Sequence, residues 1–343
     1  MNHRDRVFAA INFEGPDRVP LDSWFTRPFF RRLCKRFMVN NDIELRRKLG
    51  LDLVETLQIH VTEGTFRKKV FPDGTYVDEF GTKWRIHEYV DFIPIHYPIQ
   101  SYEDLDDFIF PDPDASWRFD IFYETVEKYG DEFFIPGGIG FTLFERAWVL
   151  RGFENFLMDF YRNPDFVEKL LDKITEYNVK LAQNIVKTGI DMFYVGDDYG
   201  TQQGLIMPPA IWRKFFKPRL EKIFKVAKNK GLPVALHSDG NIYSIIKDLI
   251  EIGLDVLNPC MPRALDLHRL HREFGNHLVL WGALDTQYTL PFGTQEDVAR
   301  EVEQRIQEHG KNGGLILAPV HTVLPEVPIE NYLTFIKRAR GIK

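Results

Sequence analysis

Cysteine is nearly absent from the 343-residue chain: only Cys34 and Cys260 occur. A disulfide framework is therefore not expected, and a cytoplasmic location follows as the default. No run approaches the ~20 apolar residues that would span a bilayer. The N-terminus, MNHRDRVFAAINFEGPDRVP, lacks the apolar stretch of a secretory signal. Long basic runs are missing too. With 44 basic and 50 acidic side chains, the formal net charge is −6, which argues against nucleic-acid binding. Neither a low-complexity linker nor a block of like charge divides the chain, so residues 1–343 are expected to form one domain.

Short apolar runs alternate with helical patterns. Eight runs qualify as strands: Arg18–Asp22, Leu53–Ile59, Phe133–Ile139, Met192–Gly196, Pro233–His237, Asp255–Pro259, Leu278–Gly282 and Leu315–Ala318. Most lack strict alternation, as expected of strands buried on both faces of a parallel sheet. Segments Phe166–Lys187, Ile242–Ile252 and Glu296–His309 repeat apolar residues at helical spacing. The order predicts an α/β fold, a (β/α)8 barrel, with a doubly wound open sheet as the competing topology. Residues 61–132 break the rhythm. An Asp73-Gly74 turn between Lys69 and Val77 predicts a hairpin, and the whole stretch reads as an insertion after the second strand.

A barrel gathers function at the C-terminal ends of its strands. That rule selects His60, Arg146 (after the third run), Asp197, Asp198, Tyr199, His237, Asp239, Cys260 and His321. Each has a bland reading. Aspartates before helices cap them, and a lone histidine is often a half-buried structural residue. Together, two histidines and an aspartate at neighbouring strand ends suit Zn²⁺ or another divalent metal.

The stretches GDDYGTQQGLIMPPAIWRKFFKPRLEKIF, LHSDGN, GLDVLNPCMP and GGLILAPVHTVLPEVPIEN, in that order and with the N-terminal stretch, resemble the uroporphyrinogen decarboxylase superfamily. The resemblance implies a (β/α)8 barrel and one of two activities: decarboxylation of a porphyrinogen, or zinc-dependent methyl transfer with a corrinoid protein. The decarboxylases' N-terminal Arg-Gln-Ala-Gly-Arg stretch is missing; Arg27 is the sole arginine of residues 22–28. His237 matches the first zinc ligand of the thiol-methylating branch. Asp239 and His321 stand about where that branch has two cysteines, so the implied site is His-Asp-His, with Cys260 as a fourth ligand or a buried apolar residue. The expected reading is a metal-dependent methyltransferase. It would move a methyl group from a small ether or amine to a corrinoid on a separate protein. Asp197 or Asp198 would handle the proton, and Arg27, His60, Arg146 and Tyr199 would orient substrate. A decarboxylase using His321 and arginines, and a non-catalytic tetrapyrrole or corrinoid carrier, remain as alternatives. No nucleic acid or membrane partner is expected; a homo-oligomer is compatible with the sequence.

Overall fold

The computed structural model describes residues 1–58, 67–85 and 93–342. The barrel strands are β1 (Thr56–Gln58), β6 (Pro136–Ile139), β7 (Met192–Gly196), β8 (Val234–His237), β9 (Val256–Cys260), β10 (Val279–Leu284) and β11 (Leu315–Pro319). They pair in that sequential order, all parallel. The eighth stave is the run at residues 19–22. Leu21 bridges Leu317 in parallel, and the Leu317 N–H donates to the Pro20 carbonyl at 2.9 Å. On its other side the Asp52 N–H donates to the Leu21 carbonyl at 2.7 Å. The ring is thus closed, and the open-sheet alternative falls. Pro20 has no N–H to offer a ladder, which keeps this stave short.

Inside the ring lie Leu53, Phe134, Met192, Tyr194, Ala235, Val256, Val279, Trp281, Ile316 and Ala318. The helix His3–Ile11 covers the N-terminal ends of the strands. Its Val7 joins that interior cluster, and its Phe8 ring meets Phe134 edge-on at 5.0 Å. This end is sealed by Asp52, which accepts from Arg6 Nη1 at 2.6 Å, Arg18 Nη1 at 2.8 Å and the Leu21 N–H at 2.7 Å.

Between β1 and β6 sit β2 (Arg67–Val70), β3 (Thr75–Asp78), β4 (Lys83–Arg85) and β5 (Ile93–His96), an antiparallel sheet in sequential order. The expected hairpin is β2–β3; Asp73 Oδ1 accepts the Thr75 N–H at 3.0 Å, and Gly74 takes φ +78°. Tyr76 and Trp84 bury against Phe141 and Val149, which docks the sheet beside the third barrel strand. The insertion ends earlier than residue 132. The helix Asp120–Tyr129 belongs to the barrel, because its Phe122 packs directly behind Gly137 of β6. No described helix is long and apolar enough to cross a membrane.

One packing detail carries a pH dependence. His309 ends the helix Gln295–His309 with its ring fully buried. Neither ring nitrogen has a hydrogen-bond partner. Burial first, and then the neighbouring His271, push its pKa down to about 4 from 6.5. The folded state therefore holds fewer protons than the unfolded chain between these values. Stability is full above pH 6.5 and falls as pH drops toward 4, by up to about 3 kcal/mol. Urea unfolding at pH 7 and 4.5 should show a smaller acid loss in a His309→Leu variant than in the parent. Equal acid losses in the two proteins would rule His309 out.

Candidate functional site

With the N-terminal end plugged, the open end is where β7, β8, β9 and β11 finish. His237 is the last residue of β8 and lies in register with Asn258 of β9. Its Nδ1 is 2.6 Å from Asn258 Oδ1. The amide oxygen can only accept, so Nδ1 carries a proton, and in the neutral ring Nε2 is the nitrogen left with a lone pair. That nitrogen is 3.9 Å from both Asp239 Oδ1 and Asp198 Oδ1. His321, at φ +66° just past β11, brings its ring centroid to 5.7 Å from that of His237. One ligand atom each from His237, Asp239 and His321 lies within 4.8 Å of the other two.

The local chain explains why these residues meet. The segments after β7 and β8 touch through two glycines. A Cβ on Gly240, which sits at φ +83°, would come within 2.6 Å of the Gly200 carbonyl carbon. A Cβ on Gly200 would come within 2.5 Å of the Asp239 oxygen. That approach lets the Asp239 N–H donate to Asp198 Oδ1 at 2.8 Å. Asp239 does not cap the next helix, Tyr243–Glu251, whose N-cap is Ile242 without a side-chain bond. Its Oδ1 is instead buried with no hydrogen-bond partner. A carboxylate oxygen kept from water without a donor is costly. Beside two imidazoles, it fits a divalent cation. On His321, Nδ1 accepts the Thr322 N–H at 2.8 Å, a bond that must yield if Nδ1 is the ligand atom.

The adjacent aspartates divide. Asp197 is fully buried and accepts the N–H groups of Leu143, Phe144 and Glu145 at 3.0, 2.9 and 2.8 Å, together with the Tyr199 hydroxyl. It caps the helix Phe144–Arg151 that follows β6. Burial lifts its pKa to about 6 against those four donors. Asp198, half-buried, faces the histidines; burial raises its pKa, opposed first by His237. Glu145 accepts the Asp198 N–H, and its pKa is raised by burial and by Asp198.

Several expected site residues lie elsewhere. Asp197 cannot serve the mouth, because both carboxylate oxygens are occupied by the cap. Tyr199 is buried with its hydroxyl on Asp197, so it does not orient substrate. Arg146 is buried with its guanidinium 3.9 Å above the Phe80 ring; it anchors the inserted sheet. Cys260 is buried with Sγ 3.2 Å from the Leu257 carbonyl oxygen, and burial pushes its thiol pKa up to about 12. It is no ligand. Arg27 is exposed at the start of the helix Arg27–Phe37. His60 lies outside the described residues.

Other mouth residues carry weaker sequence signals. Asn258 orients His237 and could have been found from the parallel register. Trp24 places its ring 5.6 Å from His237 and 5.7 Å from His321 and donates its indole N–H to Glu55. Burial and then Asp22 raise the Glu55 pKa well above the ordinary range. Tyr194 lines the floor, its ring 6.1 Å from His237. Burial, then Glu55, Asp198, Asp239 and Glu145, push its ionisation well above the usual value.

Residues 75–342 match the family model described as uroporphyrinogen decarboxylase (URO-D). Uroporphyrinogen decarboxylase of Geobacter sulfurreducens is 22% identical over 262 residues, covering 72% of this chain and 73% of the relative. The same enzyme of Thermus thermophilus is 29% identical over 167 residues, covering 48% of this chain and 45% of the relative. Among solved structures, a methyltransferase from Methanosarcina mazei superposes with a TM-score of 0.74 at 20% identity, over 99% of both chains. That likeness concerns the fold.

Proposed function

The chain belongs to the uroporphyrinogen decarboxylase family, and from that premise we propose that it is a metal-dependent methyltransferase. Its substrates are a small methylated molecule and a cobalt(I) corrinoid carried by a separate protein. The observation that carries this reading is the partnerless Asp239 Oδ1 beside the His237 and His321 rings. A divalent cation held by His237, Asp239 and His321 supplies Lewis acidity toward the heteroatom that bears the methyl group. Asn258 fixes the His237 tautomer, a common device behind metal-bound imidazoles. Asp198 stands beside the cluster, its Oδ1 3.9 Å from His237 Nε2, placed to exchange a proton with the departing group. Trp24 lies tilted against the His237 ring and edge-on to the exposed His321 ring, forming one wall of the site.

The decarboxylase reading draws on the relatives' names. A substrate with many carboxylates needs matching cations. Among the described residues, no arginine or lysine pairs with Glu145, Asp198 or Asp239, and Arg46 is spent on Asp22 and Asp42. A polycarboxylate therefore lacks matching partners at the mouth, which favours a small methyl donor.

Elemental analysis of protein purified without chelator tests the site. About one metal ion per chain is expected, and a His237→Ala, His321→Ala double variant should lose nearly all of it. Far less than one ion in the parent, or equal loading in the variant, would remove the basis of the reading.

A further inference from the structure

Charge is not spread evenly over the surface. The helix Arg27–Phe37 turns Arg27, Arg31, Arg32, Lys35 and Arg36 to solvent. Its Phe29 and Leu33 are buried in the core, so the basic face is what the helix offers outward. Among the described residues none of the five cations pairs with a carboxylate; Arg32 donates to the Pro325 and Val327 carbonyls. Arg27 and Arg31, Arg31 and Lys35, and Arg32 and Arg36 are like charges four residues apart, each an unfavourable pair on a helix. This concentration of cations sits on a chain of net charge −6. Directly after it, Met38 is 91% exposed.

The opposite patch follows the inserted sheet. Residues 103–114 expose Glu103, Asp104, Asp106, Asp107, Asp112 and Asp114 and contain no lysine or arginine. Asp106 pairs with Lys169, and Asp114 accepts from Asn184 at 2.7 Å. Both partners lie on the helix Pro164–Ile185, so the acidic segment runs along that helix for about 22 Å. The basic helix is about 15 Å long, a comparable stripe. Midway along the acidic segment Ile109 is 87% exposed. Met38 and Ile109 are the two most exposed large apolar side chains of the described residues, and each sits in one of the two patches. The patches cannot satisfy each other within one molecule. The basic helix flanks the first and eighth staves, whereas Pro164–Ile185 connects β6 to β7.

We infer that the basic face of the helix Arg27–Phe37 docks on the acidic segment 103–114 of a second copy of this chain. Charge complementarity selects that occupant, since every copy carries both halves of the contact. Carboxylates from the neighbour relieve the like-charge pairs along the helix. Exposed ion pairs alone bind weakly; Met38 and Ile109 give the contact an apolar centre that leaves water on docking. With the two patches on different sides of the barrel, the contact is head to tail. It is small, so the association is weak and is screened by salt.

Sedimentation equilibrium of the full chain tests this. The parent should self-associate at low salt with a dissociation constant of about 10⁻⁵–10⁻⁴ M. Raising sodium chloride to about 0.3 M should weaken it at least about tenfold. An Arg31→Glu, Lys35→Glu variant and a Glu103→Lys, Asp107→Lys variant should each be monomeric. None of these side chains has a partner within the molecule among the described residues, so urea midpoints and metal content should match the parent. Mixed in equal amounts, the two variants should associate again, because each supplies the charge that the other lacks. A chain carrying all of these substitutions should do so alone. Met38→Ser should weaken association about tenfold and leave its salt dependence unchanged. A parent that stays monomeric at low salt, reversed variants that associate like the parent, or a mixture that does not recover would each overturn the inference. A monomeric parent that binds phosphatidylglycerol vesicles through Arg31 and Lys35 would overturn it in favour of an anionic lipid surface.

Discussion

Asp52→Ala should cost about 3–5 kcal/mol of folding stability, the scale of a buried ion pair broken on one side. Asp52 is fully buried, and Arg6 and Arg18 both converge on it. It also holds the Leu21 N–H, so its loss removes a buried carboxylate from two guanidinium groups and leaves a backbone donor unpaired where the first stave meets the second. Arg6 retains Asp17 at 2.7 Å, which softens the loss but does not restore closure of the ring. The damage is at the sealed end of the barrel. Protein that remains folded should therefore bind metal at the parent stoichiometry. Urea unfolding followed by far-UV circular dichroism reads the first quantity and elemental analysis the second. A loss below about 1 kcal/mol, the scale of an exposed pair, would mean that Asp52 is not the closing residue.

The second large effect separates two neighbours. Asp197→Ala should destabilise the fold by about 2–4 kcal/mol, since it removes a buried helix cap with three backbone donors. Asp198→Asn keeps an acceptor for the Asp239 N–H and should change stability by less than about 1 kcal/mol. It should reduce methyl transfer by about 10²–10⁴-fold, the range for loss of a proton-handling group. Paired unfolding curves and rates for the two variants decide the matter. A stable Asp197→Ala protein, or a fully active Asp198→Asn protein, would reverse the assignment.

This division shows what could be read in the linear chain. Eight apolar runs gave eight staves because strands buried on both faces leave a continuous hydrophobic signal. The cluster of His237, Asp239 and His321 was readable because strand ends in a barrel share one rim. Capping across elements left no such signal. Asp197 caps a helix that begins 53 residues earlier in the chain, at Phe144, and local sequence cannot say which helix an aspartate will reach. Arg146 was misplaced for the same reason, its partner Phe80 being brought in by packing of the inserted sheet; Tyr199 instead turns back onto Asp197, two residues earlier, and spacing alone does not show that turn. Tyr194 was missed for a different one. Parity along β7 would have turned it inward with Met192, but a tyrosine in a run of apolar residues reads as core until its ring is found beside that of His237. The fourth strand of the inserted sheet, β5, was missed because Pro94 and Pro98 remove backbone donors and mask its alternation of Ile93, Ile95 and Tyr97.

The most direct test mixes metal-loaded protein, cob(I)alamin and a methoxybenzene donor under anoxic conditions and follows the cobalamin spectrum. Methylcobalamin should form catalytically with the parent protein, and its rate should fall in step with metal content across the His237→Ala, His321→Ala and Asp239→Ala variants. A rate of methylation that does not follow metal content, or a parent protein that forms no methylcobalamin but releases carbon dioxide from a porphyrinogen, would contradict the account.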